Sequence, residues 1–189
     1  MFQVWEQRKL IEVCDYVDYR GKTPNKIDSG IFLVTAKNVK DGYIDYESSK
    51  EYIAEDDYEE IMRRGRPEIG DVLITTEAPC GNVAQVNIAN IALAQRIIKY
   101  RGHINIIDNT YLKYYFLSPK FQKNLNEKSS GGTVKGIKGS VLHQQFIEYP
   151  AHEEQIKIGQ CMNEIDNLIT LHQRKSFLMK YSEYKRKNS

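Results

Sequence analysis

Gly70-Asp71-Val72-Leu73-Ile74-Thr75-Thr76-Glu77-Ala78-Pro79-Cys80-Gly81-Asn82-Val83-Ala84-Gln85-Val86 carries the main fold signal of this chain. Residues 71–76 form a β-branched, apolar run entered through Pro67 and Gly70, the pattern of a buried strand. Pro79-Cys80-Gly81-Asn82 reads as a turn, and residues 83–86 return as the partner strand. Upstream, Ile31-Phe32-Leu33-Val34-Thr35 is a short strand behind the turn Asp28-Ser29-Gly30. Asp41-Gly42 is a tight turn, and Tyr43-Ile44-Asp45-Tyr46 alternates behind it. Downstream, residues 91–100 supply another strand or two. The fold class is α+β, with a curved, mainly antiparallel or mixed sheet.

Helices follow the strands. Residues 111–117 are preceded by the capping residues Asp108-Asn109-Thr110. Ser118-Pro119 starts the next helix, with serine as cap and proline at the first helical position. Phe121 and Leu125 share one face of it. Residues 129–140 read as a flexible glycine-rich loop, and Phe146-Ile147-Glu148-Tyr149 is a closing strand before Pro150. The texture then changes, which divides the chain into a domain over 1–150 and a single long helix over 151–189.

That helix opens on Glu153 and Glu154 and ends on Lys185, Arg186 and Lys187, each sign suiting its end of the helix dipole. Gly159 costs only about 1 kcal/mol. Ile158, Cys161 with Met162, Ile165, Leu168 with Ile169, and then Phe177, Leu178 and Met179 recur at spacings of three and four. His172 lies on the same seam, as an interface residue rather than a metal ligand. A helix of roughly 30 residues is about 45 Å long, more than a small domain covers. A second helix packed along the stripe is the expected arrangement, with folding back on its own domain as the alternative.

With 189 residues, 41% hydrophobic and 28% charged, the composition is that of an ordinary globular protein. No apolar run is long enough to cross a bilayer, and Met1-Phe2-Gln3-Val4-Trp5-Glu6 lacks a signal-peptide pattern. A cytoplasmic location is the default expectation. Cys14, Cys80 and Cys161 are odd in number and unpaired in sequence, which argues for small buried hydrophobes rather than a disulfide or zinc framework. The net charge of +2 is a weak footprint for nucleic acid. The charge is uneven: 47–60 is acidic, while 22–40, 63–66 and 174–187 are basic.

Catalytic patterns are missing. The glycine-rich stretch from Gly131 to Ser140 puts Ile137 where a phosphate-loop lysine is required. His103, His143, His152 and His172 lack zinc-protease spacing, and no nucleophile pairs with them in sequence. Asp71 and Glu77 flank a strand; Asp71 closing a turn after Gly70 and Glu77 sitting at the strand end is a better reading than a metal site. No cofactor and no metal are expected.

Four stretches taken in order resemble the specificity subunits of type I restriction–modification systems. They are Gly21-Lys22-Thr23-Pro24; Val34-Thr35-Ala36-Lys37-Asn38-Val39 with Gly42-Tyr43-Ile44; the 70–84 stretch quoted first; and Pro150 through Gln155 to Ile158, leading into Ile165 and Leu168-Ile169. The resemblance implies a target recognition domain like that of some DNA adenine methyltransferases, followed by a long spacer and pairing helix. It implies no catalysis by this chain, recognition of one half of a bipartite double-stranded DNA site, and methylation and restriction subunits bound alongside. A full-length subunit of this kind carries two recognition domains and two helices packed antiparallel. The present sequence corresponds to one of each, as a natural half-length subunit or a truncated form. It is expected to self-associate, or to pair with another half-subunit, through Ile158, Cys161, Met162, Ile165, Leu168, Ile169, His172 and Met179.

DNA recognition requires cations for phosphates and planar amides or guanidinium groups for base edges. Lys22 and Thr23 lie in a Gly/Pro turn suited to a phosphate. Lys37, Asn38 and Lys40 follow a buried strand and are expected at the surface; Lys37 suits a guanine, and Asn38 either pairs with adenine or closes its own turn. Arg63, Arg64 and Arg66 either contact phosphates or neutralise the acidic run. Thr76, Asn82 and Gln85 surround the 77–82 turn. Lys135 and Lys138 either wrap the duplex or belong to a solvated connector. The basic end from Arg174 onward is a solvated helix end before it is a DNA or subunit contact. The competing readings are a protein-interaction module with no DNA role and, third, a small nuclease or transferase.

Overall fold

The computed structural model describes residues 4–19, 24–131 and 135–187, with side chains of the last helix described to residue 176. The elements run β1 (Glu6–Lys9), α1 (Leu10–Val13), β2 (Cys14–Asp18), β3 (Ile31–Val34), β4 (Tyr52–Ile53), a 3-10 turn (Glu55–Asp57) and α2 (Tyr58–Ile61). They continue with β5 (Val72–Thr76), β6 (Cys80–Gln85), β7 (Ala92–Leu93), β8 (Ile97–Gly102), α3 (Asn109–Leu117), α4 (Pro119–Lys128), α5 (Gly139–Leu142), β9 (Phe146–Tyr149) and α6 (His152–Lys187).

The central sheet has the order β2-β8-β5-β6 and is antiparallel throughout. Its inner strands are buried on both faces, so side-chain alternation splits them between two cores. Val72, Ile74, Val83, Ile98 and Tyr100 enter the core covered by α1, α3 and α4. Leu73, Ala84 and Ile97 enter the other, covered by the mixed three-stranded sheet β4-β3-β7. The continuous apolar run at 71–76 follows from this two-sided burial. The third pairing joins β1 to β9, bringing Glu6 opposite Tyr149.

The helix caps form as the sequence predicts. The Asp108 carboxylate accepts from the Tyr111 amide at 2.8 Å, and the Ser118 hydroxyl accepts from the Phe121 amide at 3.3 Å with Pro119 at the first position of α4. Phe121 and Leu125 are buried together.

Several expectations change. Residues 43–46 form no strand, only an isolated bridge between Val39 and Ile44. Side chains satisfy this backbone instead: the Asn38 amide donates to the Asp45 carbonyl and the Asp45 carboxylate accepts from the Glu47 amide. The turn expected at 79–82 is displaced toward the N-terminus, because β6 already begins at Cys80. A register shift in β5 lets the Thr75 hydroxyl take the Asn82 amide at 3.0 Å, which carries the pairing further along. The loop to Ser140 gives way to α5 at Gly139. Cys14 is buried, and burial pushes its thiol up to about 12, whereas Cys161 is exposed on α6 and is not the buried hydrophobe expected.

Among the described residues no helix is long and apolar enough to cross a membrane.

Candidate nucleic-acid interface

The 36 residues of α6 make a rod about 54 Å long. Among the described residues, the contacts with the head come from its first half. Gln155 is fully buried there: its side-chain oxygen accepts from the Asp108 amide at 2.9 Å, and its nitrogen donates to the Ile106 and Pro150 carbonyls, each at 2.9 Å. One turn on, a Cβ at Gly159 would stand 3.2 Å from Thr110, so the glycine allows close approach of α6 to α3. One turn further, Asn163 accepts from Lys113 at 2.9 Å, and the Tyr114 hydroxyl, with its one proton, lies 2.7 Å from both the Asn163 and the Asp166 side-chain oxygens. Burial lowers the Lys113 ammonium despite the Asp166 charge; burial first and Asp166 second raise the Tyr114 phenol.

Beyond this joint the described side chains of the helix that face away from the head are exposed. Met162 and Ile165 are exposed, Leu168 and Ile169 are 66% and 51% exposed, and Leu171 and His172 are exposed too. The stripe through 162, 165, 168, 169 and 172 lies roughly 110° round the helix from the docked face. Ile158 departs from the expected set, since it packs against the core of the head and is not free for a partner helix. The side chain of Met179 lies outside the described residues, as do those of Phe177 and Leu178 and of the basic end at 185–187.

The expected DNA-contacting residues separate by what already holds them. Asn38 is fully buried and its amide is occupied: the oxygen accepts from the Thr35 amide and hydroxyl, and the nitrogen donates to the Asp45 and Ser49 carbonyls. It closes the turn and cannot present itself to a base edge. Asn82 donates to the Val39 carbonyl at 2.9 Å, Gln85 donates to the Gly70 carbonyl at 2.9 Å, and Thr76 is buried. Arg64 donates to the Asp18 carbonyl at 2.8 Å, and Arg66 is ion-paired with Glu59 beside the Tyr58 ring. Arg66 is thereby paired with one member of the acidic run. Lys37, Arg63, Lys135 and Lys138 are exposed and Lys40 is half-buried. Lys22 and Thr23 lie outside the described residues.

Asp71 is a structural anchor. It is almost fully buried and bridges two cations: Arg101 binds it with both arms of its fork, at 2.6 and 2.9 Å, and Lys99 stands 3.2 Å away. Burial alone would raise its carboxyl, but the Arg101 and Glu68 hydrogen bonds and the Lys99 charge outweigh that and lower it. Glu77 points elsewhere, 3.5 Å from Arg96. No group of three or more metal-ligating side chains occurs among the described residues. His143, buried, shares a 2.6 Å hydrogen bond with the Tyr100 hydroxyl and stacks on Tyr16 as part of the core.

Sequence reasoning passed over Arg96, which lines the same surface as Lys26 and Lys37. Nothing in Ala94-Gln95-Arg96 marks it locally; only the folded surface brings the three together.

A two-sided sheet with a long helix fixed to its helical layer defines a head-and-rod protein. The family model described as "Type I restriction modification DNA specificity domain" matches residues 3–177. The chain belongs to that family. It is 31% identical over 176 residues to the type I restriction enzyme MjaIX specificity subunit of Methanocaldococcus jannaschii, an alignment covering 87% of this chain and 38% of that one. Its fold is similar to the HsdS subunit from Thermoanaerobacter tengcongensis, with a TM-score of 0.62 and 21% identity over 92% of this chain and 40% of that one. It is equally similar to the S subunit from M. genitalium, with a TM-score of 0.62 and 13% identity over 88% and 40% of the two chains. A structure concerned with complex assembly and conformational transition of the type I R-M system matches with a TM-score of 0.63 and 23% identity over 90% and 40%. The chain thus spans about two-fifths of the length of these relatives.

Proposed function

We propose that this chain gives a type I restriction–modification assembly its DNA sequence preference and performs no reaction itself. Residues 1–150 are the target recognition domain and residues 151–189 the spacer and pairing helix. The head reads one half of a bipartite double-stranded site in the cytoplasm, and methylation and restriction subunits dock beside it. The observation that carries this reading is a rod anchored at its base by Gln155 and Gly159, with Leu168 and Ile169 uncovered along its free half. An apolar seam at this spacing fits another helix. If the partner is a second copy, the two-fold axis repeats one head, and the site becomes an inverted repeat whose spacer is set by the rods.

Lys37, Arg63, Lys135 and Lys138 are the phosphate-contacting candidates among the described side chains, with Lys40 at their edge. Selection from a random-sequence duplex pool, with and without a methylation subunit, tests the proposal. Enrichment of one motif, with affinity falling as salt rises, is expected. Failure to enrich any motif under either condition overturns it. Charge reversal at Lys37 and Arg63 separates it from a DNA-independent interaction module: DNA binding is lost and self-association is retained.

A further inference from the structure

Two adjoining hollows, of about 260 and 250 Å³, open on the surface of the head, and Arg96 lines both. Lys37 and Ala78 line the first; Glu77 and Lys138 line the second. Each hollow therefore contributes an exposed lysine, with the half-exposed Arg96 guanidinium on the wall between them.

The backbone at this place is unusual. Four described residues other than glycine have positive φ: Ala78 (48°), Asn90 (56°), Arg96 (71°) and Asn105 (61°). Asparagine tolerates this region; alanine and arginine rarely adopt it. The two that do are both on the first hollow. Backbone strain of this kind persists where the surroundings over-determine it, and it gathers at ligand sites. Here the Thr76 amide donates to the Arg96 carbonyl at 2.8 Å and fixes the residue against the end of β5. A carboxylate oxygen of Glu77 lies 3.5 Å from the guanidinium Nε and aligns the side chain.

We infer that Arg96 is a specificity-determining side chain of this head, reading a guanine edge at one position in the major groove while Lys37 and Lys138 hold the flanking phosphates. The inference rests on the DNA-reading role proposed above. The division of labour follows from the chemistry. A guanidinium offers two parallel N–H donors that match the O6 and N7 acceptors of guanine, and a fixed backbone aims them. Lysines on the neighbouring surface act as movable point charges, which suits phosphates.

The test uses the full chain and a random-sequence duplex pool. Arg96→Gly removes the side chain and suits the left-handed backbone, so the variant is expected to melt no lower than the parent. Arg96→Lys keeps the charge and removes the fork. Both variants are expected to lose the preference for G·C at a single position of the selected motif by roughly tenfold or more. The other positions stay as in the parent, and Arg96→Lys retains the parent's salt dependence. Selection of the parent's motif at unchanged preference, with or without uniformly weaker affinity, overturns the inference and reduces Arg96 to a phosphate contact or a bystander. That result leaves the DNA-reading role standing, whereas a parent chain that enriches no motif removes both.

Discussion

The head and the free half of α6 are stabilised in opposite ways. In the head, strands β5 and β8 are buried on both faces, and even charged groups are taken inside: Asp71 and Lys99 are buried, with the partly exposed Arg101 closing over Asp71. Past Asp166 the described side chains of α6 lie outside any cover from their own chain. In proteins most of a helix's stability comes from tertiary packing of its apolar face rather than from propensity. The head therefore accounts for its own folding, while the rod borrows stability from its base or from a partner.

Substitutions can break this contrast. The largest effect is expected from Asp71→Asn, which leaves Lys99 and Arg101 without their buried counter-charge and costs about 3–5 kcal/mol in urea unfolding. Its pH dependence has a definite sign. The Asp71 carboxyl is lowered in the folded state, so its contribution is complete above the ordinary carboxylate range and fades as pH falls through the lowered value. The stability gap between parent and variant should narrow below about pH 4; a gap that widens on acidification contradicts the anchoring role.

Gln155→Leu acts at the boundary between the regions. It strands the Asp108 amide and the Ile106 and Pro150 carbonyls in a buried joint, with an expected loss of about 2–3 kcal/mol by thermal or urea unfolding. Gly159→Leu tests the same joint by crowding Thr110. The expected loss is about 1–3 kcal/mol, and hydrogen exchange should quicken in α6 more than in β5. Uniform acceleration would mean that base and head open together. The smallest effect on monomer stability, within about 0.5 kcal/mol, is expected from Leu168→Lys with Ile169→Lys. This pair should nonetheless lower the solution mass measured by light scattering. A parent chain that is monomeric at high concentration, or a double variant of unchanged mass, would show that the seam is not where copies meet.

The same contrast explains what was legible beforehand. The 71–76 strand and the long helix are visible in the sequence because local pattern decides them: two-sided burial gives an unbroken apolar run, and uninterrupted helix formers give a rod. β1 and β2 escaped notice because their partners, β9 and β8, lie far along the chain, and the exposed Glu6–Lys9 strand has no buried alternation to report. Asn38 allowed two readings because its fate depends on carbonyls seven and eleven residues on, at Asp45 and Ser49. Arg96 carried no signal at all, since its importance comes from a left-handed backbone and from neighbours supplied by three other segments.

The joint at Gln155 and Gly159 also sets an azimuth. Each residue of an α-helix turns the chain by about 100° and advances it by 1.5 Å. A single residue inserted just after Asp166 would barely lengthen the rod yet swing Leu168 and Ile169 about a quarter-turn around it. Four residues would add about 6 Å and return them to within about 40° of their original bearing. The separation and the relative rotation of whatever the two ends of the rod carry are thus tied to one count of residues, and a short insertion changes both together.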